Sequence, residues 1–434
     1  MQTPKLSAHF QSRKPSAIRT AQIEFMKRTD GTEAINTAIG NVTLPAHPAM
    51  LERLTSLGEK GPFVDGVIKY SPTVGTKECC ETVLHIIASS DLSTHGLMAM
   101  ITDGGSSAME LLIVGVCGTA GSHDDPLMLI DAAYTNYNAL AQRTGRKTIS
   151  IQRELDNNGR FTLPAPDKIE AVIQKHKPAG LLVIPYDNPT GQYYDHALMV
   201  SLGRLCVKYN MWFVSDEAYR ELFYCKGPAS SIWRITEKEV PGITGRRISI
   251  ETASKVWNAC GLRIGALVTD NSDFHAKAVA EYTANLCSNV IGQYVFGALK
   301  DLPHQTLKQW YIQQRRYYQD LMGSVSAGLK AAVPGLIVSV PDASIYSVID
   351  VKNVARPGFD AEDFVLYCAR KGRVMINNKY VTLLVSPMAE FYKGEIEPNP
   401  GRTQMRIAYV ESPTKMAHVP HVFKTLFEEY EKTR

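Results

Sequence analysis

At 434 residues the chain exceeds one ordinary domain, so two domains, or one large α/β body with an appendage, are expected. Its 44% hydrophobic and 21% charged residues are those of a soluble globular protein, and a net charge of +4 is too dilute to imply nucleic acid or a membrane surface as partner. Eight scattered cysteines without a C-x-x-C pair indicate neither a zinc cage nor a disulfide framework, and fit a reducing cytoplasm.

The N-terminus is basic and free of acids until Glu24, faintly like a transit peptide, but it lacks a secretory apolar region. No apolar run approaches the roughly 18 residues that span a bilayer. From residue 97 onward, short apolar runs alternate with amphipathic segments: Leu97 to Thr102, Leu127 to Asp131, Thr148 to Gln152, Gly180 to Pro185, Met211 to Ser215, Ile248 to Glu251 and Ile264 to Thr269. Seven such runs with helix-length spacers predict an α/β body on a largely parallel sheet, and continuous runs such as Leu181 to Ile184 predict strands covered on both faces. Beyond residue 300 a long helix (Leu307 to Leu329) and short strands with Pro and Gly predict a smaller α+β domain. His418 and His421 could suggest a metal, but Pro420 between them is expected to break the helix that would align them, and no metal is expected.

Several strand ends carry residues suited to chemistry. Thr102-Asp103-Gly104-Gly105-Ser106-Ser107-Ala108 joins a strand to an apolar helix, and its glycines let a backbone approach an anion at a helix N-terminus. The spacing is not G-x-G-x-x-G, so a dinucleotide fold is not supported. Asn188-Pro189-Thr190-Gly191 is by itself a turn, and Asp216, at the end of Met211 to Ser215, is by itself a candidate helix cap or a carboxylate for a cation at the strand ends. Lys255 follows Ile248 to Glu251 and stands among hydroxyl residues, with Arg263 eight positions on; a desolvated amine there becomes a nucleophile toward a carbonyl, while Thr252, Ser254 and Arg263 suit a phosphate.

The stretch Thr252 to Gly265 resembles the lysine signature of class I/II aminotransferases, Ser-x-Ser-Lys-x5-Gly-x-Arg-x-Gly, with Thr252 in place of the first serine. Other motifs of that family follow in order over residues 70 to 406. The resemblance implies fold type I: an N-terminal arm and part of a small domain over 1–45, a large domain with a mostly parallel seven-stranded sheet over 46–300, and a small C-terminal domain over 301–434. It implies pyridoxal 5′-phosphate as cofactor, bound as a Schiff base to Lys255. Gly104, Gly105, Ser106, Thr252 and Arg263 would hold its phosphate, Tyr134 would stack on its ring, Asn188 and Tyr219 would reach its phenolic oxygen, and Asp216 would pair with its ring nitrogen. Ala132 replaces a proline usual before Tyr134. Tyr70, in Tyr70-Ser71-Pro72-Thr73-Val74-Gly75, resembles a tyrosine that reaches the phosphate of the partner subunit in a homodimer. Arg406 is expected to hold the substrate's α-carboxylate, with Arg402 as fallback, and Gly40 and Asn188 are expected beside the substrate.

The implied reaction moves an amino group from an L-amino acid to a 2-oxo acid by a ping-pong mechanism. A lyase eliminating a β- or γ-substituent on the same scaffold is the nearest alternative. A ligand-sensing domain of a transcription regulator is a third, less expected because no DNA-binding module fits before residue 35 or so. The side-chain specificity stays open: the phosphate turn carries Ser106 and Ser107 where some aspartate aminotransferases have a lysine, and no arginine occurs between Ile264 and Gln314.

Overall fold

The computed structural model describes residues 4–393 and 398–432. Two helices, α1 (Ala8–Ser12) and α2 (Ala17–Met26), lead to strand β1 (Glu33–Asn36) and helices α3 (Pro48–Thr55) and α4 (Lys77–Ser89). The central body runs β2 (Met98–Thr102), α5 (Gly104–Val116), β3 (Leu127–Asp131), α6 (Asn136–Arg143), β4 (Thr148–Gln152), the small hairpin β5 (Glu154–Leu155) and β6 (Phe161–Thr162), and α7 (Pro166–His176). It continues through β7 (Gly180–Val183), α8 (His196–Lys208), β8 (Trp212–Asp216), β9 (Arg247–Thr252), β10 (Gly265–Thr269), α9 (Ser272–Tyr282) and α10 (Val290–Gly297). The remainder is the long α11 (His304–Ala332), β11 (Ile337–Val338), β12 (Tyr346–Asp350), α12 (Ala361–Arg370), β13 (Val374–Ile376), β14 (Lys379–Leu384), β15 (Ser386–Pro387), β16 (Gln404–Ala408) and α13 (Pro413–Lys432).

All seven apolar runs enter one sheet, in the order β2-β10-β9-β8-β7-β3-β4. Pairing is parallel from β9 through β4, while β10 is antiparallel to both its neighbours. The interior strands β3, β7 and β10 are buried along their whole length, as their unbroken apolar sequences require, whereas β4 at the edge is half-buried throughout. After β3 the chain goes to β4 on one side and then to β7 on the other. A crevice opens beyond the carboxyl ends at such a reversal, where open α/β sheets receive ligands. Because β10 runs the other way, its first residue, Gly265, lies level with Thr102 and Thr252, the last residues of β2 and β9. One edge therefore gathers the loops after β2, β3, β7, β8 and β9 and the loop before β10.

Two smaller sheets, β1-β14-β13 and β11-β12-β16-β15, come mainly from the C-terminal third, and β1 joins the first by pairing parallel with β14. The N-terminal arm is helical, with Ser16 accepting from the Arg19 amide as the N-cap of α2. Helix α5 starts directly at Gly104. One local expectation is corrected. Pro420 does not break α13, which continues through it: Met416, Val419, Val422, Phe423, Leu426 and Phe427 bury one face, and the absence of a side chain at Gly328 of α11 makes room for the Pro420 ring. That packing outweighs the lost backbone hydrogen bond.

Candidate active site

A cavity of about 320 Å³ lies at the gathered edge, and its walls include Gly105, Ser106, Tyr134, Asn188, Asp216, Tyr219, Thr252, Lys255, Arg263 and Arg406. The volume is that of a small-molecule site. Ten residues singled out along more than three hundred positions of sequence thus share one pocket.

At one end the N-terminus of α5 faces the signature loop. Asp103, in the N-cap position, makes no cap; its carboxylate accepts instead from the Asn289 amide (2.9 Å) and the Tyr282 hydroxyl (3.2 Å), leaving the first-turn amides of α5 available to an anion. The Thr252 and Ser254 hydroxyls lie 2.7 Å apart, and Thr252 Oγ1 also accepts from the Ser254 amide. Arg263 has a left-handed backbone (φ +54°), uncommon for a residue with a side chain, and donates to the Cys260 carbonyl at 2.8 Å. Its guanidinium lies over Gly104, whose own φ is +76°; a Cβ there would collide with Arg263 Nη2. A helix N-terminus, two hydroxyls and a guanidinium form a cradle for a phosphate.

At the other end Asp216 closes β8 at 3% exposure. Its Oδ2 accepts from the Tyr137 hydroxyl at 2.6 Å and its Oδ1 from the Ala218 amide at 3.1 Å. Burial nevertheless pushes its pKa up to about 6, because two donors do not replace the lost solvent. Such a carboxylate is short of a cation. Asn188 donates to Tyr219 Oη at 3.4 Å, and Tyr219 shares a 2.9 Å hydroxyl contact with Tyr346. Tyr134 lines the same wall, edge-on to Tyr137 at 5.7 Å between ring centroids. Burial holds its phenol at about 12, so it stays neutral.

Between these ends stands Lys255, whose Nζ donates to the Gly40 carbonyl at 2.5 Å. A Cβ on Gly40 would collide with the Tyr346 hydroxyl and sit 3.2 Å from Lys255 Nζ, so only glycine fits. Arg406, on β16 and 4% exposed, donates to Asn188 Oδ1 (2.9 Å) and the Ala38 carbonyl (2.7 Å). Its guanidinium lies 4.5 Å from the Tyr346 ring centroid and 5.3 Å from that of Phe391, and its Nε has no hydrogen-bond partner among the described residues. Arg402, the fallback, is exposed and pairs with Asp360 at 3.2 Å outside the cavity. Tyr70 is 78% exposed and does not line the cavity of its own chain.

Sequence reasoning passed over Tyr137, Tyr346 and Phe391, and passed over the face of α2 that supplies Ser16, Ile18, Arg19 and Gln22 to the wall. Tyr137 was legible as the second tyrosine of Asp131-Ala132-Ala133-Tyr134-Thr135-Asn136-Tyr137; Tyr346 carries no local signal, since only the pairing of β12 with β16 brings it to Arg406.

An amine, a buried carboxylate lacking a cation and a phosphate cradle fit a group that has a carbonyl, a basic ring nitrogen and a phosphate, which is the chemistry of pyridoxal 5′-phosphate. Residues 36–417 match the family model described as aminotransferase class I and II. The chain is 23% identical over 355 residues to the aspartate/prephenate aminotransferase of Thermus thermophilus, covering 81% of this chain and 85% of that one. Its fold is similar to that of N-succinyldiaminopimelate aminotransferase from Mycobacterium tuberculosis (TM-score 0.80, 16% identity, 97% and 100% of the two chains). It is likewise similar to that of Pyrococcus horikoshii kynurenine aminotransferase (TM-score 0.78, 19% identity, 98% and 97%). These relatives transaminate, which favours transamination over elimination; their named substrates differ.

Proposed function

We propose that the chain, which belongs to the class I and II aminotransferases and is a pyridoxal-phosphate-dependent transaminase, holds its cofactor at Lys255 and uses that same amine as its acid–base group. The observation that carries this reading is the position of Lys255 Nζ in one cavity with Asp216, Arg406 and the uncapped end of α5. Pyridoxal phosphate supplies an aldehyde that captures an amine and a ring that takes up an electron pair from the substrate's α-carbon.

The chain's own residues do the rest. The α5 amides, Ser106, Thr252, Ser254 and Arg263 would hold the phosphate and keep the cofactor seated through the reaction. Asp216 would stabilise a positive charge on the ring nitrogen, and Tyr137 holds that carboxylate in place. Asn188 and Tyr219 would orient the phenolic oxygen, and Tyr134 would cover the ring face. Arg406 takes the substrate's α-carboxylate with its planar fork, beside Asn188 and Gly40. Lys255 Nζ would take the α-proton and deliver it to the carbon that was the cofactor's aldehyde, the amino group remaining with the cofactor. With water as co-reactant a 2-oxo acid would leave, and a second 2-oxo acid would take up the amino group, a ping-pong cycle.

The chain works as a homodimer in which Tyr70 reaches the phosphate of the second copy; the exposure of Tyr70, together with Val64, Val67 and Ile68, supports a covered surface there. Residues 1–45 form the arm and part of the small domain, 46–300 the large domain and 301–434 the small domain, a division supported by the pairing of β1 with β14. The protein works in the cytoplasm, a placement supported by its eight free cysteines, which suit a reducing compartment.

The test is Lys255→Ala in the cofactor-loaded protein. It should lose both the visible absorbance of the lysine-bound cofactor and turnover; normal transamination by that variant would refute the reading.

A further inference from the structure

At the reversal of the sheet the ladder between β3 and β7 is short: it pairs Leu127 with Gly180 and Met128 with Leu181 and goes no further. Beyond it, a side chain from a third segment bridges the two strand ends. Arg153 stands directly after β4, is 2% exposed, and donates from Nη2 to the Ile130 carbonyl of β3 at 2.9 Å. On the far side its Nη1 lies 3.0 Å from Asp187 Oδ2 and donates to Gln192 Oε1 at 3.1 Å, both in the loop after β7. One planar guanidinium thus ties together two segments that the ladder no longer joins.

Stability is a weak reason for such a pair, because taking both charges out of water offsets most of their attraction. What the pair fixes is geometry. Asp187 Oδ2 also accepts from the amide (3.2 Å) and the hydroxyl of Thr190, so its carboxylate is held across the turn that carries Asn188. Asn188 is the next residue, and its Oδ1 accepts from Arg406 Nη1 at 2.9 Å. Arg406 has one further acceptor among the described residues, the Ala38 carbonyl at 2.7 Å, and its Nε has none. The aim of its fork therefore depends on where Asn188 is held.

We propose that Arg153 is a positioning residue for recognition of the α-carboxylate, acting through Asp187 and Asn188 on Arg406. This rests on the transaminase reading, in which Arg406 meets the α-carboxylate of the amino acid and of the 2-oxo acid alike. Arg153 itself is not part of the cavity wall.

The test removes both buried charges at once, Arg153→Met with Asp187→Asn, so that neither is left unpaired. The cofactor-loaded enzyme is assayed with the twenty standard L-amino acids as donors and with pyruvate, oxaloacetate and 2-oxoglutarate as acceptors. For the best pair, KM of the donor and KM of the acceptor should both rise by about 10-fold with kcat within about 3-fold of wild type, the mark of lost binding common to ground and transition states. The urea midpoint and the Kd for pyridoxal phosphate should stay near their wild-type values. Arg153→Lys, which keeps the cation but lacks a fork to span both segments, should raise both KM values by a smaller factor, and it decides the matter if the double variant does not fold. Wild-type KM values for both substrates in the folded variant overturn the proposal, as does a loss confined to kcat or to cofactor affinity. Absence of turnover by the wild type with every amino acid would instead overturn the transaminase reading beneath it.

Discussion

Tyr137, fully buried and not part of the cavity wall, donates its hydroxyl to Asp216 Oδ2 at 2.6 Å. The bond links α6 to the end of β8 and is the main interaction opposing the effect of burial on Asp216. Tyr137→Phe leaves the ring packing in place but removes that donor, so the Asp216 pKa should climb further. Cofactor affinity at pH 7 should weaken by about 10-fold, in line with one hydrogen bond to a charged group, as read by titration of the apo-protein with pyridoxal phosphate. An unchanged Kd would show that Tyr137 is only packing.

The Asp216 carboxyl, at about 6, titrates above its ordinary 3.8. In the cofactor-free protein the folded state binds this proton more tightly than the unfolded state does. The stability contributed by the group is thus fully present below pH 3.8 and lost as pH rises through about 6. In the proposed function cofactor binding has the opposite sign, since a ring cation would need the ionised carboxylate. Pyridoxal phosphate affinity should fall as pH drops below about 6, and Asp216→Asn should be weak at every pH and lack this dependence. Fluorescence titrations from pH 5 to 8 on both proteins check it.

Gly40 has space for a hydrogen and no more. In Gly40→Ala the new methyl meets the Tyr346 hydroxyl and presses on Lys255 Nζ, so both should shift by a fraction of an ångström or more. A displacement of that order costs up to about 100-fold in turnover when it falls on the reacting group. Steady-state kcat should fall accordingly, and the double variant Gly40→Ala with Tyr346→Phe, which deletes the clashing hydroxyl, should recover part of the loss. A lack of any recovery would place the damage elsewhere.

Behind the site, Arg220 stands between Glu217 and Glu251, all three buried, with 2.5 Å contacts from its Nη2 to both carboxylates. Burial raises the Glu217 pKa above the ordinary carboxylate range, Glu251 adds to the rise, and Arg220 opposes it. Glu217 follows Asp216 directly and Glu251 precedes Thr252, so this cluster underlies both ends of the cavity. Arg220→Ala should destabilise the fold by about 3–5 kcal/mol, because two carboxylates are left without their cation. Urea unfolding measures it, and adding Glu251→Gln should restore part of the loss; equal stability of wild type and Arg220→Ala would contradict the assignment.

Much of the fold was legible in the chain because β-strands covered on both faces need unbroken apolar runs, and seven of these stood between helix-length spacers. Lys255, Asp216, Asn188 and the Gly104-Gly105 turn were legible for a related reason. Each sits at a strand end, where side chains leave the core and sequence becomes distinctive. Pro420 shows the limit, since local propensity predicted a break that packing against α11 overrides.

By itself, then, the sequence determined the α/β class and the strands, and it carried the motifs whose residues line one cavity, all of which depend on local pattern and on order along the chain. Only the tertiary structure decided what depends on contacts between distant segments. Arg406 and Tyr346 meet through the pairing of β16 with β12, Lys255 meets Gly40 across 215 positions, and α2 brings Arg19 to the mouth of a pocket built more than eighty residues later. No local pattern encodes such meetings, because they follow from which faces the sheets and helices bury against one another.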